Sequence, residues 1–240
     1  MKIIVTDNYD EMSKVAAELI AEVVERKPTA TLGLATGSTP IGCYKLLADF
    51  CRQKRLSFAS VKTVNLDEYV GLSASHNQSY AYFMRRNLFD SIDIELSNTR
   101  IPNGSAADVA AECAHYSALL KNNVRDVQLL GLGSNGHIGF NEPDTPFDSV
   151  THLVNLTENT VTDNSRLFKN LEEVPRQAIT MGIAEIMQAG KIVLLASGQN
   201  KARAVYDMCR GPVNAACPAS ILQRHPDCVA VLDKAAASLL

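Results

Sequence analysis

Residues 131–143, GLGSNGHIGFNEP, combine a glycine-rich turn with side chains that can transfer protons. Histidine is a common general acid or base, and a carboxylate such as Glu142 can fix the tautomer of His137 and raise its basicity. Asn135 adds an amide that can hydrogen-bond to either group. The segment therefore predicts a loop that carries an acid–base pair.

The same segment also matches G-x-G-x-x-G, the pattern of dinucleotide-binding loops. In such a loop a helix begins inside the glycine pattern, so that its N-terminus meets the pyrophosphate. Here HIGFNEP follows, which is a poor helix start, and no strand ending in an acidic residue is evident about 20 residues on. The pattern favours a catalytic loop over a cofactor loop.

A second candidate is TGSTP at residues 36–40, a turn of small residues after an apolar strand. Backbone N–H groups at the start of the following helix would suit a phosphate, with Thr36, Gly37, Ser38 and Thr39 around it. A simple helix-capping turn is the alternative, since Ser and Thr favour that position. No G-K-[ST] follows, so the turn is not a Walker loop.

Two cations extend this phosphate hypothesis. Arg166, in NSRLF, and Lys201, in SGQNKARA, lie near the starts of predicted helices, where the helix dipole disfavours positive charge. A bound anion would remove that conflict. Taken singly, each could equally be a surface charge.

A third motif is LDEYVG at residues 66–71, where Asp67 comes at the end of an apolar strand. A carboxylate there is costly unless it has partners or a task. Adjacent strand residues face opposite ways, so Asp67 and Glu68 are not expected to act as a paired acid and base. Two solvated turn residues remain an alternative.

Apolar strands alternate with amphipathic helices along the whole chain, which predicts an α/β fold. We expect three layers in a Rossmann-like arrangement, with a mainly parallel twisted sheet and helices on both faces, as one domain over residues 1–240. The predicted strands are 2–6, 30–36, 61–69, 126–133, 191–197 and 228–233, with shorter ones at 151–157 and 177–181. Four of these strands end in the polar or glycine-rich turns GSTP, DEY, LGSNGH and SGQNK. The four turns should meet at one edge of the sheet, where open α/β sheets bind ligands.

Composition excludes several other classes. The net charge is −3 without a clustered basic segment, so we expect no nucleic-acid partner. No apolar run reaches the ~20 residues of a membrane span, and the start lacks the apolar region of a secretion signal, so we expect a cytoplasmic protein. Six scattered cysteines without a C-x-x-C pair indicate reduced thiols and no metal site.

In this order, ATGSTP, NLDEYVGL, GxGxNGHIGFNEP, NSR and SGQNKA resemble the glucosamine-6-phosphate deaminase family over nearly the whole chain. HIGFNEP and LDEYVGL are the specific strings, whereas TGSTP alone is not. The resemblance implies a hydrolase of amino sugar catabolism that converts glucosamine 6-phosphate and water to fructose 6-phosphate and ammonia, without cofactor or metal. It implies that Asp67 is the proton-transfer base and that His137, supported by Glu142, opens the sugar ring. It also implies phosphate contacts from Thr36 to Thr39, Arg166 and Lys201.

The chain departs from the family pattern in three places. Asn135 stands where some members carry Asp, so we assign it a hydrogen-bonding role at the catalytic site. The chain also stops soon after CVAVLDKAAASLL, whereas larger, regulated members extend further. His152 and Val154 stand where activator-binding basic residues would be expected. We therefore expect no activation by N-acetylglucosamine 6-phosphate and a monomer, with a homo-oligomer as the alternative.

Two other functions remain to be tested. A 6-phosphogluconolactonase would share the fold and the GxGxxGH loop, but we would expect GHxASLFP in place of HIGFNEP. A sugar-phosphate-binding module without turnover would keep the phosphate turn and lose its acid–base groups. The sequence does not decide between glucosamine and galactosamine 6-phosphate, nor whether residues 144–165 form a lid.

Overall fold

The computed structural model describes residues 1–157 and 174–240. Within these residues the strands are β1 (Lys2–Thr6), β2 (Thr31–Leu34), β3 (Lys62–Asn65), β4 (Asp67–Tyr69), β5 (Thr99–Arg100), β6 (Val127–Gly131), β7 (His152–Asn155), β8 (Gln177–Thr180), β9 (Ile192–Ala196) and β10 (Cys228–Asp233). The α-helices are α1 (Tyr9–Arg26), α2 (Ile41–Arg52), α3 (Tyr80–Asn87), α4 (Val109–Asn122), α5 (Ile183–Ile186) and α6 (Ala202–Arg210). Short 3₁₀ turns connect several of them.

Seven strands form a parallel sheet in the order β1-β10-β9-β6-β2-β3-β5. Its central strands are continuous apolar runs, and every residue of β9 and β10 is buried. Such runs are expected where both faces of a parallel sheet are covered. The predicted α/β class with a mainly parallel sheet is therefore confirmed.

Helices cover both faces of this sheet, which gives the predicted three layers. Successive residues of β6 show the alternation, since Leu129 packs into one core and Leu130 into the other. The first core is filled by α1, α2 and α3, and the second by α4, α5 and α6. Each helix buries one apolar stripe, as the sequence periodicity predicted.

A second sheet of three antiparallel strands, in the order β4-β8-β7, stands beside the first. The single strand predicted over residues 61–69 is wrong, because the chain leaves the parallel sheet at Leu66. The Leu66 N–H still donates to Leu34 O in the main sheet (3.2 Å), whereas its carbonyl accepts from Met181 N (2.7 Å). From Asp67 onward the chain pairs with β8. None of the helices that the structure describes combines the length and the apolar character that a membrane span requires.

Candidate active site

A cleft of about 220 Å³ opens at the carboxyl-terminal edge of the parallel sheet. Its walls come from the segments that follow β2, β3, β6 and β9, and they include Thr36–Thr39, Asp67, Gly131–Ser134, His137 and Lys201. The segment after β3 is the short strand β4, whereas the other three are turns. The four segments meet because parallel strands all end at the same edge. The structure confirms this convergence.

The turn after β2 presents Thr36, Gly37, Ser38 and Thr39 to the cleft. Gly37 has φ +90°, and no atom lies within 4 Å of the position where a Cβ would stand, so backbone conformation explains this glycine. Helix α2 begins after Pro40, which has no side-chain oxygen with which to cap it. The N–H groups of Ile41 and Gly42 at the start of α2 donate to Ser38 O (3.4 Å) and Tyr9 Oη (2.9 Å), so the turn ahead of the helix is the part that faces the cleft and would meet an anionic ligand.

Lys201 reaches the same cleft from the turn after β9. This turn bends at Gly198, with φ +95°, and its backbone is held by the Asp233 carboxylate at the end of β10. Asp233 accepts hydrogen bonds from Ser197 Oγ (2.6 Å) and from Gly198 N (3.1 Å). Arg166, the other predicted phosphate ligand, lies outside the described residues, so its role stays a prediction.

Asp67 is the first residue of β4 and lies opposite Thr180. Its side chain lines the cleft, although only 5% of the residue is exposed. Burial, and to a smaller extent the charge of Glu68, raise the pKa of Asp67 to about 8. Glu68 is 2% exposed, so the alternative of two solvated turn residues is wrong. A carboxyl group with this pKa can take up and return a proton near neutral pH.

Asn135, His137 and Glu142 come together in the turn after β6. His137 Nδ1 lies 3.5 Å from Glu142 Oε1, and Asn135 Nδ2 donates to Glu142 Oε2 (2.6 Å). Asn135 Oδ1 in turn accepts from the backbone N–H of His137 (3.2 Å). Asn135 thus holds both the carboxylate and the backbone of the histidine, and His137 faces the cleft.

The conformation of this loop also tests whether its G-x-G-x-x-G pattern could bind a dinucleotide. Residues 132–151 contain no helix, so no helix N-terminus meets the glycine pattern. A Cβ on Gly133 would come within 2.5 Å of the His137 ring. The glycines therefore let the loop fold tightly around the histidine, and the dinucleotide-binding alternative is not supported.

Two tyrosines near the cleft were not predicted from the sequence. Tyr80, the first residue of α3, lines the cleft beside Asp67. The Tyr9 hydroxyl, at the start of α1, donates to Ser38 O (3.2 Å) and accepts from Gly42 N (2.9 Å), which fixes the turn after β2. Neither tyrosine belongs to a motif with recognisable spacing, so only their position in the fold reveals them.

Comparison with known proteins gives consistent matches. The family model of glucosamine-6-phosphate isomerases and 6-phosphogluconolactonases matches residues 6–230. The chain is 52% identical to the glucosamine-6-phosphate deaminase of Thermoanaerobacter pseudethanolicus, covering all of this chain and 95% of that one. It is 51% identical to the Clostridium novyi enzyme of the same name, over the full length of both chains.

Similar solved structures come from the same two groups of enzymes, the deaminases and the lactonases. A monomeric glucosamine-6-phosphate deaminase, described as a missing link of the NagB superfamily, aligns over all of both chains with a TM-score of 0.98 and 45% identity. The 6-phosphogluconolactonase of Trypanosoma brucei covers all of this chain and 98% of its own, with a TM-score of 0.79 and 24% identity. The second likeness concerns the fold alone.

Proposed function

The chain belongs to the family of glucosamine-6-phosphate isomerases and 6-phosphogluconolactonases and is an enzyme of its deaminase branch; on this basis we propose how its cleft converts glucosamine 6-phosphate and water to fructose 6-phosphate and ammonia. The observation that carries the proposal is the placement of a buried carboxyl group, Asp67, in one cleft with His137 and an anion-binding turn. The 6-phosphogluconolactonase reading is not favoured, since the relatives at about half identity are deaminases.

His137 opens the sugar ring in this mechanism. Ring opening moves a proton from the C1 hydroxyl to the ring oxygen, and an imidazole can both accept and donate it. Glu142, 3.5 Å from Nδ1, stabilises the charged imidazole. Asn135 keeps that carboxylate in place through its 2.6 Å hydrogen bond.

Asp67 then carries the proton between two neighbouring carbons. The open-chain aldehyde makes the C2 proton acidic, so the carboxylate removes it and an enolamine forms. The same carboxyl group returns the proton at C1, which gives an imine at C2. Water adds to that imine and ammonia leaves, so one atom of oxygen enters at C2 as the nitrogen departs.

The far end of the substrate supplies the binding energy that positions these carbons. Thr36–Thr39 and Lys201 line the same cleft, and the backbone N–H groups of the turn together with a cation suit a phosphate. Arg166 completes this set in our proposal. Holding the phosphate fixes C1 and C2 over Asp67 and lowers the entropic part of the barrier.

Ammonia release measured with a coupled dehydrogenase tests the proposal. We expect turnover of glucosamine 6-phosphate, and galactosamine 6-phosphate is assayed beside it to define the sugar preference. Loss of 6-phosphogluconolactone without ammonia release from either amino sugar would instead establish a lactonase.

The variant Asp67→Asn separates an enzyme from a binding module. We expect kcat to fall by about 100- to 10,000-fold, because the removed base acts on the barrier, while the sugar phosphate still binds. Binding without turnover in the wild-type protein would favour the module.

We further propose that the protein is a cytoplasmic monomer without an allosteric activator. The solved relative with 45% identity is monomeric, which supports the first part of this proposal, the oligomeric state.

A further inference from the structure

Glu68 is a buried carboxylate of the LDEYVG motif to which the mechanism above assigns no step. It follows Asp67 on β4, and only 2% of it is exposed. Its oxygens accept three backbone hydrogen bonds of 2.9 Å, from Tyr69 N and Tyr80 N at Oε1 and from Ala81 N at Oε2. Two of these donors lie in the first turn of α3, so the carboxylate ties that helix to β4.

Tyr80, which Glu68 holds by its backbone, reaches the other parts of the cleft with its side chain. Its hydroxyl donates to Tyr69 Oη (3.2 Å) and interacts with the side chain of Thr36 in the phosphate turn. Its ring stacks on Phe140 of the catalytic loop, with centroids 6.1 Å apart and planes inclined by 13°. A shift of α3 would therefore move a side chain that contacts both the phosphate turn and the catalytic loop.

We propose that Glu68 is a positioning residue for deamination. By hydrogen-bonding to the first turn of α3, it places Tyr80 between the Asp67 base and the Thr36 end of the phosphate turn. The inference rests on the proposed function. It gives a role to the second carboxylate of the motif that differs from the role of the first.

The charge of Glu68 has a second consequence at Asp67. Among the residues that the structure describes, those that interact electrostatically with Asp67 are Tyr44 from α2, Glu68 and Tyr69 from β4, Tyr80 from α3 and Tyr116 from α4. Burial raises the pKa of all four tyrosines, so their hydroxyls are neutral near pH 8. His137 and Lys201 line the same cleft. Glu68 is the group that, beside burial, raises the pKa of Asp67.

The variant Glu68→Gln tests the proposal because an amide keeps the shape and removes the charge. Its oxygen can still accept from Tyr69 N and Tyr80 N, but its NH₂ group would face the N–H of Ala81. We expect kcat/KM to fall about 10- to 100-fold, as misplaced catalytic groups cause. We also expect the acidic limb of the kcat/KM profile, near pH 8 in the wild-type enzyme, to move to lower pH.

Glu185→Gln is the matched control. Glu185 is also 2% exposed and accepts from Thr151 Oγ1 (2.7 Å), Gly182 N (3.1 Å) and the Ser117 hydroxyl, but it does not line the cleft. We expect it to lower the urea midpoint while the acidic limb stays in place. An unmoved limb in Glu68→Gln, or an equal shift in Glu185→Gln, would overturn the proposal.

Tyr80→Phe tests the link to the phosphate turn without touching Glu68, in case Glu68→Gln does not fold. We expect KM to rise several-fold with the acidic limb unchanged, and wild-type kinetics in this variant would overturn the proposed role of Tyr80. Absence of ammonia release by the wild-type enzyme would refute the proposed function itself. This result is distinct from the variant results above, which would refute only the role of Glu68 or Tyr80.

Discussion

At the scale of single residues, Asp67 and Asp93 show how environment moves the same side chain in opposite directions. Burial, with the neighbouring Glu68 charge, raises the pKa of Asp67 to about 8. Partial burial would also raise the pKa of Asp93, but hydrogen bonds from Ser57 Oγ, Phe58 N and Cys51 Sγ together lower it. The first group is suited to take up a proton, and the second stays ionised.

These shifts predict how stability depends on pH. A folded-state pKa above the unfolded value means that, between about pH 4 and pH 8, folded Asp67 binds a proton that the unfolded chain lacks, so its contribution to stability is lost as the pH rises. We expect Asp67→Asn to gain stability relative to wild type from pH 5 to pH 9, measured by urea unfolding. The pKa of Asp93 is lowered, so this group titrates below that pH range. Asp93→Asn should therefore lose the same amount of unfolding free energy at every pH from 5 to 9. A constant difference for Asp67→Asn would contradict the burial of its charge.

Asn135 gives a second prediction at this scale. It donates to Glu142 Oε2 and accepts from the His137 N–H, so its removal frees both groups. We expect Asn135→Ala to lower kcat by about tenfold or more, in line with the sensitivity of catalysis to orientation. Asn122→Ala, which removes an exposed amide on α4, is the control and should leave steady-state kinetics unchanged. Unchanged kcat in Asn135→Ala would show that Glu142 needs no such support.

At the scale of elements, the turn from β2 into α2 is fixed at both ends by tyrosine hydroxyls. Tyr44 Oη donates to Ala35 O (2.5 Å) before the turn, and Tyr9 Oη bonds to Ser38 O and Gly42 N within it. A turn held in this way presents its N–H groups without first losing conformational freedom. Preorganisation of this kind should favour the binding of phosphate.

The variant Tyr9→Phe tests that inference. Two hydrogen bonds of ordinary strength are lost, so we expect KM for the sugar phosphate to rise about 3- to 10-fold with kcat nearly unchanged. The inhibition constant of inorganic phosphate should rise in parallel. Tyr206→Phe, an exposed tyrosine on α6, should change neither value. A fall in kcat at constant KM would instead assign Tyr9 to the chemical step.

At the scale of the whole molecule, the cleft lies at the carboxyl-terminal edge of the parallel sheet. In β7, where an activator would be sought, Val154 is uncharged and His152 Nδ1 is hydrogen-bonded to the backbone oxygen of Val150 (2.8 Å). These two residues agree with the proposed absence of an allosteric activator.

We therefore expect a mass of 26.0 kDa in sedimentation equilibrium and hyperbolic rate curves. Adding N-acetylglucosamine 6-phosphate should leave the shape of these curves unchanged. A multiple of that mass, or a sigmoidal curve that the acetylated sugar makes hyperbolic, would contradict the prediction. The assignment of residues 1–240 to one domain and the phosphate contact of Arg166 also stay predictions.

The sequence by itself determined six of the seven strands of the main sheet, the helices beside it and the order of the chemical motifs along the chain, whereas the two-residue edge strand β5 was not predicted. These are local properties, because hydrophobic periodicity and turn residues act over a few positions. The sheet edge at which GSTP, DEY, LGSNGH and SGQNK meet followed from them, since parallel strands end together. The Asn135–Glu142 contact lies within a single short loop, so its members could also be identified from the sequence.

The tertiary structure alone decided the strand pairing, the burial and the raised pKa of Asp67. Its strand pairs with β8, and Asp67 lies opposite Thr180, a residue far away in the chain. Its raised pKa comes from burial by several elements, and Tyr80 is held against it by Glu68. Burial and pairing depend on groups that only the folded chain brings together, which is why no local pattern could predict them.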